Sequence, residues 1–146
     1  MSYWIWDTSL NLGIEIIDSQ HQHIAEFINQ LYDAHLAKDD ILVSQVLIGL
    51  MDYTITHFAF EEELIALAKY PLTNEHKNAH AAFTARIDNY RMQHEHGIQI
   101  ARPLSSELKI WLTQHIKIED KKYVPYVKRG FNKSWVEAAL VRFFGK

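Results

Sequence analysis

The chain has no cysteine, only five glycines and only three prolines among its 146 residues. Without thiols there can be no thiolate nucleophile, no cysteine-held zinc or iron–sulfur cluster and no disulfide framework. So few glycines leave little material for phosphate-cradling loops, and neither a P-loop nor a Gly-x-Gly-x-x-Gly fingerprint is present. The amino-terminus, Met1-Ser2-Tyr3-Trp4-Ile5-Trp6-Asp7, lacks the basic and then apolar regions of a secretory signal. No apolar run approaches the roughly 18 residues of a membrane span, so the expected location is cytoplasmic. A formal charge of −3 with 48% hydrophobic residues suits one ordinary globular domain and offers no electrostatic footprint for nucleic acid. What the chain has in excess is histidine, nine in all.

Apolar residues recur with the helical period. Ile14, Ile17, Ile24, Ile28 and Leu31 predict a first long helix; Val46, Leu50, Tyr53, Leu64 and Leu67 or Ala68 predict a second. Asp39 or Asp40 is placed to cap the second, and Lys69-Tyr70-Pro71 to close it, because proline disfavours helix in the residue before it. Thr73 is expected to cap a third helix, which carries Phe83, Ile87 and Tyr90 and stops near Gly97. Pro103 suits the first turn of a fourth, followed by Leu104, Leu108, Trp111 and Leu112, and Pro125 is expected to end or kink it. Little strict alternation and no Asn-Gly or Asp-Gly turn speak against a sheet. The expected fold is all-α: an antiparallel up-down-up-down four-helix bundle with an N-terminal extended arm and a short C-terminal amphipathic helix.

Polar residues interrupt the apolar faces in a pattern. His21 lies four after Ile17 and seven before Ile28, on the stripe of the first helix. On the second, His57 and Glu61 are four apart, about 40° around the axis and one turn up. The third carries His76 and His80 at the same spacing, and the fourth has His115 four after Trp111, then Glu119 and Asp120. One inward histidine is ordinarily a hydrogen-bonded core residue. Here all four helices turn imidazoles inward, two with a carboxylate close behind, and uncompensated buried carboxylates are costly. Metal ions are the economical compensation. Five histidines, Glu61 and one carboxylate of the fourth helix exceed what one ion uses; with both carboxylates and a solvent oxygen bridging, all but one position of two six-coordinate ions is filled. Tetrahedral zinc needs fewer ligands, and magnesium or calcium prefers oxygen, which leaves a borderline transition metal such as iron. The Glu-x-x-His motifs of ferritin-like carboxylate bundles are absent, as is His-Glu-x-x-His.

Taken together, Trp6-Asp7-Thr8-Ser9-Leu10 with Gly13, Ile17-Asp18-Ser19-Gln20-His21, His57-Phe58-Ala59-Phe60-Glu61-Glu62, His76-Lys77-Asn78-Ala79-His80 with Phe83, and Trp111-Leu112-Thr113-Gln114-His115-Ile116 with Asp120 resemble the hemerythrin family, in particular its single-domain bacterial members, in order and spacing. The resemblance runs from about Trp4 to Tyr126. It implies a non-haem di-iron site, oxo- or hydroxo-bridged, that binds O2 reversibly as a carrier, store or delivery protein rather than an enzyme. It further implies one iron on His76, His80 and His115, the other on His21 and His57 with the vacancy for O2, and Glu61 and Asp120 bridging. Spacing alone favours Glu119, four from His115, over Asp120, which an ideal helix turns about 140° away; the resemblance selects Asp120. Ile24, Phe58, Trp111 and Leu112 resemble the family's apolar O2 pocket. Competing readings are O2 or redox sensing through a partner, a di-iron oxidase or peroxidase, and iron storage.

Residues 1–127 are thus expected to form the di-iron bundle and 128–146 a basic extension with a local charge of +4. Asn132 or Ser134 is placed to cap a helix carrying Trp135, Val136, Ala139, Leu140, Phe143 and Phe144. Packing on the bundle or on a dimer mate is its plainer role; docking to an oxygen-consuming enzyme or a membrane surface is the sharper one. His23, His35, His94 and His96 are assigned no chemistry.

Overall fold

A computed structural model describes residues 2–145. Its long helices are α1 (Glu15–Leu36), α2 (Asp40–Leu67), α3 (Thr73–Glu95) and α4 (Ala101–Gln114); α4 runs through a widened turn at His115–Asp120 into α5 (Lys121–Arg129), and α6 (Lys133–Phe144) follows. Among the described residues there is no strand. α1 packs between α2 and α4, and α3 lies against α2, the antiparallel bundle the periodicity predicts. Stacking of Phe83 on Trp111, centroids 3.7 Å apart, brings α3 to α4 and completes the ring.

The ends of the helices explain the connections. Asp39 caps α2, its Oδ1 accepting from the Leu42 N–H at 3.0 Å. α1, α2 and α3 each end in a Schellman turn. At these ends Asp39, Tyr70 and Ile98 donate to the carbonyls of Ala34, Ile65 and Gln93, and Lys38, Lys69 and Gly97 take positive φ. One expectation is corrected and one, that Pro125 ends or kinks the fourth helix, loses its first alternative. Thr73 does not cap α3: it is the first helical residue, and its hydroxyl donates to the Tyr70 carbonyl at 2.6 Å. Pro125 does not end the fourth helix, which continues through it to Arg129. Proline removes a hydrogen bond without forbidding the helical φ, so packing of Tyr123 and Val127 on both sides carries the helix through.

The apolar interior forms two clusters. The larger joins Ile24, Ile28 and Leu31 to Leu47, Leu50, Leu104 and Leu108; the smaller joins Ile17, Phe60, Ile65, Tyr123 and Val127 to Val136 and Ala139 of α6. The amino-terminal arm is tied down by Asn29, which exchanges two hydrogen bonds with the Trp4 backbone. Asp18 accepts from the backbone N–H groups of Leu12 and Gly13 at 2.7 and 3.0 Å, holding the arm where it turns into α1. Asn132 caps α6, which lies along α2 with Phe143 and Phe144 against Phe60, and Arg142 pairs with Glu63. By length and composition α2 is apolar enough to cross a membrane, since a few polar residues do not lower its mean hydropathy below that of a span. In the bundle it instead carries the site's polar residues inward.

Candidate metal centre

Three helices and the widened turn each deliver part of one polar cluster. α1 supplies His21, α2 supplies His57 and Glu61 one turn apart, α3 supplies His76 and His80, and the turn supplies His115 and Asp120; none is more than 5% exposed. The turn removes the angular conflict seen in the sequence. At Lys121 the N–H reaches back to the Ile116 carbonyl, five residues away rather than four, so the helix is locally wider and residue 120 comes round toward the face of His115. Asp120 is fully buried in the cluster, whereas Glu119 lies outside it beside Lys122.

The two carboxylates divide the cluster. Oε1 of Glu61 lies 2.7 Å from His76 Nε2 and 3.1 Å from His80 Nε2, while Oε2 faces His57 Nε2 at 3.4 Å and His21 Nε2 at 3.8 Å. Asp120 places Oδ1 3.1 Å from both His76 and His115 Nε2, and Oδ2 3.2 Å from His21 Nε2. Each carboxylate thus presents one oxygen to a three-histidine group (His76, His80, His115) and the other to a two-histidine group (His21, His57). Geometry separates the same two sets of potential ligands: Glu61, His76, His80, His115 and Asp120 in one, His21, His57 and Glu61 in the other.

The protein alone leaves these groups poorly satisfied. His80 Nε2 and His115 Nε2 point at each other from 3.1 Å. Both ring nitrogens of His21 and both oxygens of Asp120 are buried with no hydrogen-bond partner. Orphaned polar atoms of this kind are destabilising, and lone pairs converging from imidazole and carboxylate suit a borderline transition-metal ion. Protons fill the role in the metal-free chain. Burial alone depresses an imidazole, but Asp120 and Glu61 outweigh it, pushing His21 up to about 9 and His76 up to about 10. His57 is pulled down because burial prevails over its single close carboxylate contact. Burial raises carboxylates in general, yet the surrounding imidazoles hold Glu61 and Asp120 well below the ordinary range.

Three supporting residues are given no role by the sequence pattern, although Gln20 and Glu62 stand in stretches that carry the resemblance. The Nδ1–H of His57 donates to Gln20 Oε1 at 2.6 Å, the Nδ1–H of His80 donates to Glu62 Oε2 at 2.8 Å, and the Tyr123 hydroxyl donates to Glu61 Oε2 at 2.9 Å. Gln20 is adjacent in sequence to His21 but serves His57, across the helix pair. Of the expected pocket residues, Ile24, Phe58 and Leu112 are buried in the larger apolar cluster with Trp111 packed on it. Phe58 stacks on His80 at 3.8 Å and Trp111 on His115 at 4.3 Å, so both aromatics cover the three-histidine group. A cleft of about 730 Å³ between α2 and α3, lined by Met51, Ile55, Phe58, Glu62 and Ala81 among others, reaches down to His80. His23 is exposed on the outer side of α1, and His94 hydrogen-bonds Ser44 at the far end of the bundle.

Residues 12–127 match the sequence model of the hemerythrin HHE cation binding domain. Bacteriohemerythrins of Pseudomonas aeruginosa strain LESB58 and Stenotrophomonas maltophilia strain R551-3 are 36% and 37% identical, each aligned over 99% of this chain and all of its own length. A crystal structure of wild-type hemerythrin superposes with a TM-score of 0.82 at 23% identity, over 86% of this chain and 98% of that one, which is a likeness of fold. With imidazoles and carboxylates gathered inside a bundle of that fold, the chain belongs to the hemerythrin family, whose domain implies a non-haem iron site.

Proposed function

We propose that the chain binds O2 reversibly at a pair of iron ions, as an oxygen carrier, store or delivery protein. The observation that carries this reading is the division of Glu61 and Asp120: each offers one oxygen to the three-histidine group and one to the two-histidine group, the arrangement of a carboxylate shared by two ions. His76, His80 and His115 would hold one ion, His21 and His57 the other, and the unequal number of imidazoles leaves the second ion the place for an exogenous ligand. When bound, such a pair supplies two electrons that a diatomic oxidant can take up and return.

The chain's own residues supply the rest. His57 is oriented by Gln20 and His80 by Glu62, so that each turns Nε2 inward. Tyr123 fixes Glu61 by donating to Oε2. Phe58 and Trp111 lie over His80 and His115 and shield the three-histidine half; Phe58 also reaches His57, its ring centroid 5.9 Å away, and it is this edge, with the apolar volume of Ile24 and Leu112, that would help keep water from the bound gas. Anaerobic reconstitution with Fe(II), exposure to O2 and then its removal, followed by the visible ligand-to-iron charge-transfer band, tests the proposal. Colour that appears with O2 and disappears on its removal is expected. Irreversible bleaching within one cycle, accelerated by an organic substrate, would overturn it in favour of an oxidase.

A further inference from the structure

The five imidazoles are not supported alike from behind. His80 has its Nδ1–H on a carboxylate, Glu62. His57 has the same arrangement with a neutral acceptor, the Gln20 amide oxygen. His21 has Nε2 between Asp120 and Glu61, but its Nδ1 is buried without any partner. An imidazole that donates to a carboxylate is fixed in tautomer and orientation and becomes a more basic ligand; an amide fixes the tautomer but adds little basicity; an unpartnered nitrogen gains neither. These three cases fall along the division between the two groups. Among the described residues, the only carboxylate standing behind an imidazole of the cluster belongs to the three-histidine group, and the two-histidine group holds the amide and the orphan.

Close approaches run the same way. The three-histidine group meets the shared oxygens at 2.7 to 3.1 Å, the two-histidine group at 3.2 to 3.8 Å. The first group is therefore already drawn in around its centre, with more donors, while the second needs His21 and His57 to settle. Resting on the two-ion reading above, we propose that the halves of the centre load in order, the three-histidine half first, and that Glu62 is the positioning residue that separates the two affinities, acting through His80.

Glu62 sits at the edge of the α2–α3 cleft with its side chain 23% exposed, so Glu62→Gln keeps the shape, removes the charge and buries nothing new. The test is calorimetric titration of the full metal-free chain with Co(II), whose visible bands report coordination at each step. The unaltered chain is expected to take two ions in two resolved steps. Glu62→Gln is expected to weaken the first step by about 10- to 100-fold, the usual effect of losing such a partner, and to leave the second step in place. Gln20→Ala is expected to weaken the second step only. Two ions taken up in one step, a first step unmoved by Glu62→Gln, or equal weakening of both steps, as a merely structural role would give, overturns the ordering and leaves the two-ion reading standing. Uptake of a single ion by the unaltered chain overturns both.

Discussion

Removing the metal should make the bundle's stability depend steeply on pH above neutrality, with the opposite limb in acid. In the metal-free chain His21 and His76 carry protons stabilised by Glu61 and Asp120, with folded values of about 9 and about 10 against 6.5 for the ordinary group. A folded value raised above the unfolded one gives stability that is complete below 6.5 and lost as pH climbs through 9 and 10. Each such proton contributes a slope of about 1.4 kcal/mol per pH unit inside that window, so between pH 7 and 9 two of them set a ceiling of about 5 kcal/mol. The observed loss falls below this ceiling because both imidazoles draw on the same two carboxylates. Below 6.5 the sign reverses: His57, buried and depressed, binds its proton better unfolded, and Glu61 and Asp120, held low, lose their contribution as the carboxylates protonate. Metal-free stability should therefore peak near pH 6.5. Urea denaturation midpoints at pH 7 and pH 9, with and without metal, provide the assay. The loaded protein, whose imidazoles are already neutral and bound, should change little across this range. A metal-free midpoint that is the same at both pH values would refute the account of protons standing in for ions.

Three further outcomes follow from particular residues. Asp120→Ala should abolish or halve iron content measured by elemental analysis while Glu119→Ala leaves it unchanged, since only Asp120 lies in the cluster; the reverse result would show that the widened turn is misassigned. Lys69→Gly should stabilise the protein by up to about 1 kcal/mol in urea unfolding, because Lys69 holds a left-handed φ of 59° that an L side chain resists and glycine does not; a loss would mean that its side chain matters more than its backbone. A chain ending at Gly130 should melt at a lower temperature, having uncovered Phe60 and lost the Arg142–Glu63 pair, and should remain in the supernatant with liposomes just as the full chain does; pelleting of the full chain alone would give α6 a membrane role.

The bundle was legible because its inward residues follow a 3.6-residue period over helices of 14 to 28 residues, a signal that local detail cannot erase. Local chemistry was harder to read. Thr73 looks like a cap, but the Schellman turn before it starts α3 one residue early and sends the hydroxyl backward to Tyr70. The placement of Asp120 against Glu119 could not come from ideal helical angles, since the widened turn departs from them and no residue type marks such a turn. Clustered histidines announced the cluster itself. Their supporters did not: Gln20, Glu62 and Tyr123 act on residues of other helices or other turns, and only the packed bundle shows which imidazole or carboxylate each one meets. Asp18 was likewise silent, a buried carboxylate whose partners are two backbone amides of the arm rather than anything in the cluster.

The widened turn at His115–Asp120 also acts as a slack link in the chain. Elsewhere in the α4–α5 rod, deleting one residue would rotate everything beyond it by about 100°, turning Tyr123 and Val127 out of the interior. Within the turn the surplus residue is already present, so losing one there tightens the coil to an ordinary helix and leaves the faces on either side in phase. Within this rod, tolerance to a change of length is thus confined to the widened turn, which begins and ends on members of the cluster.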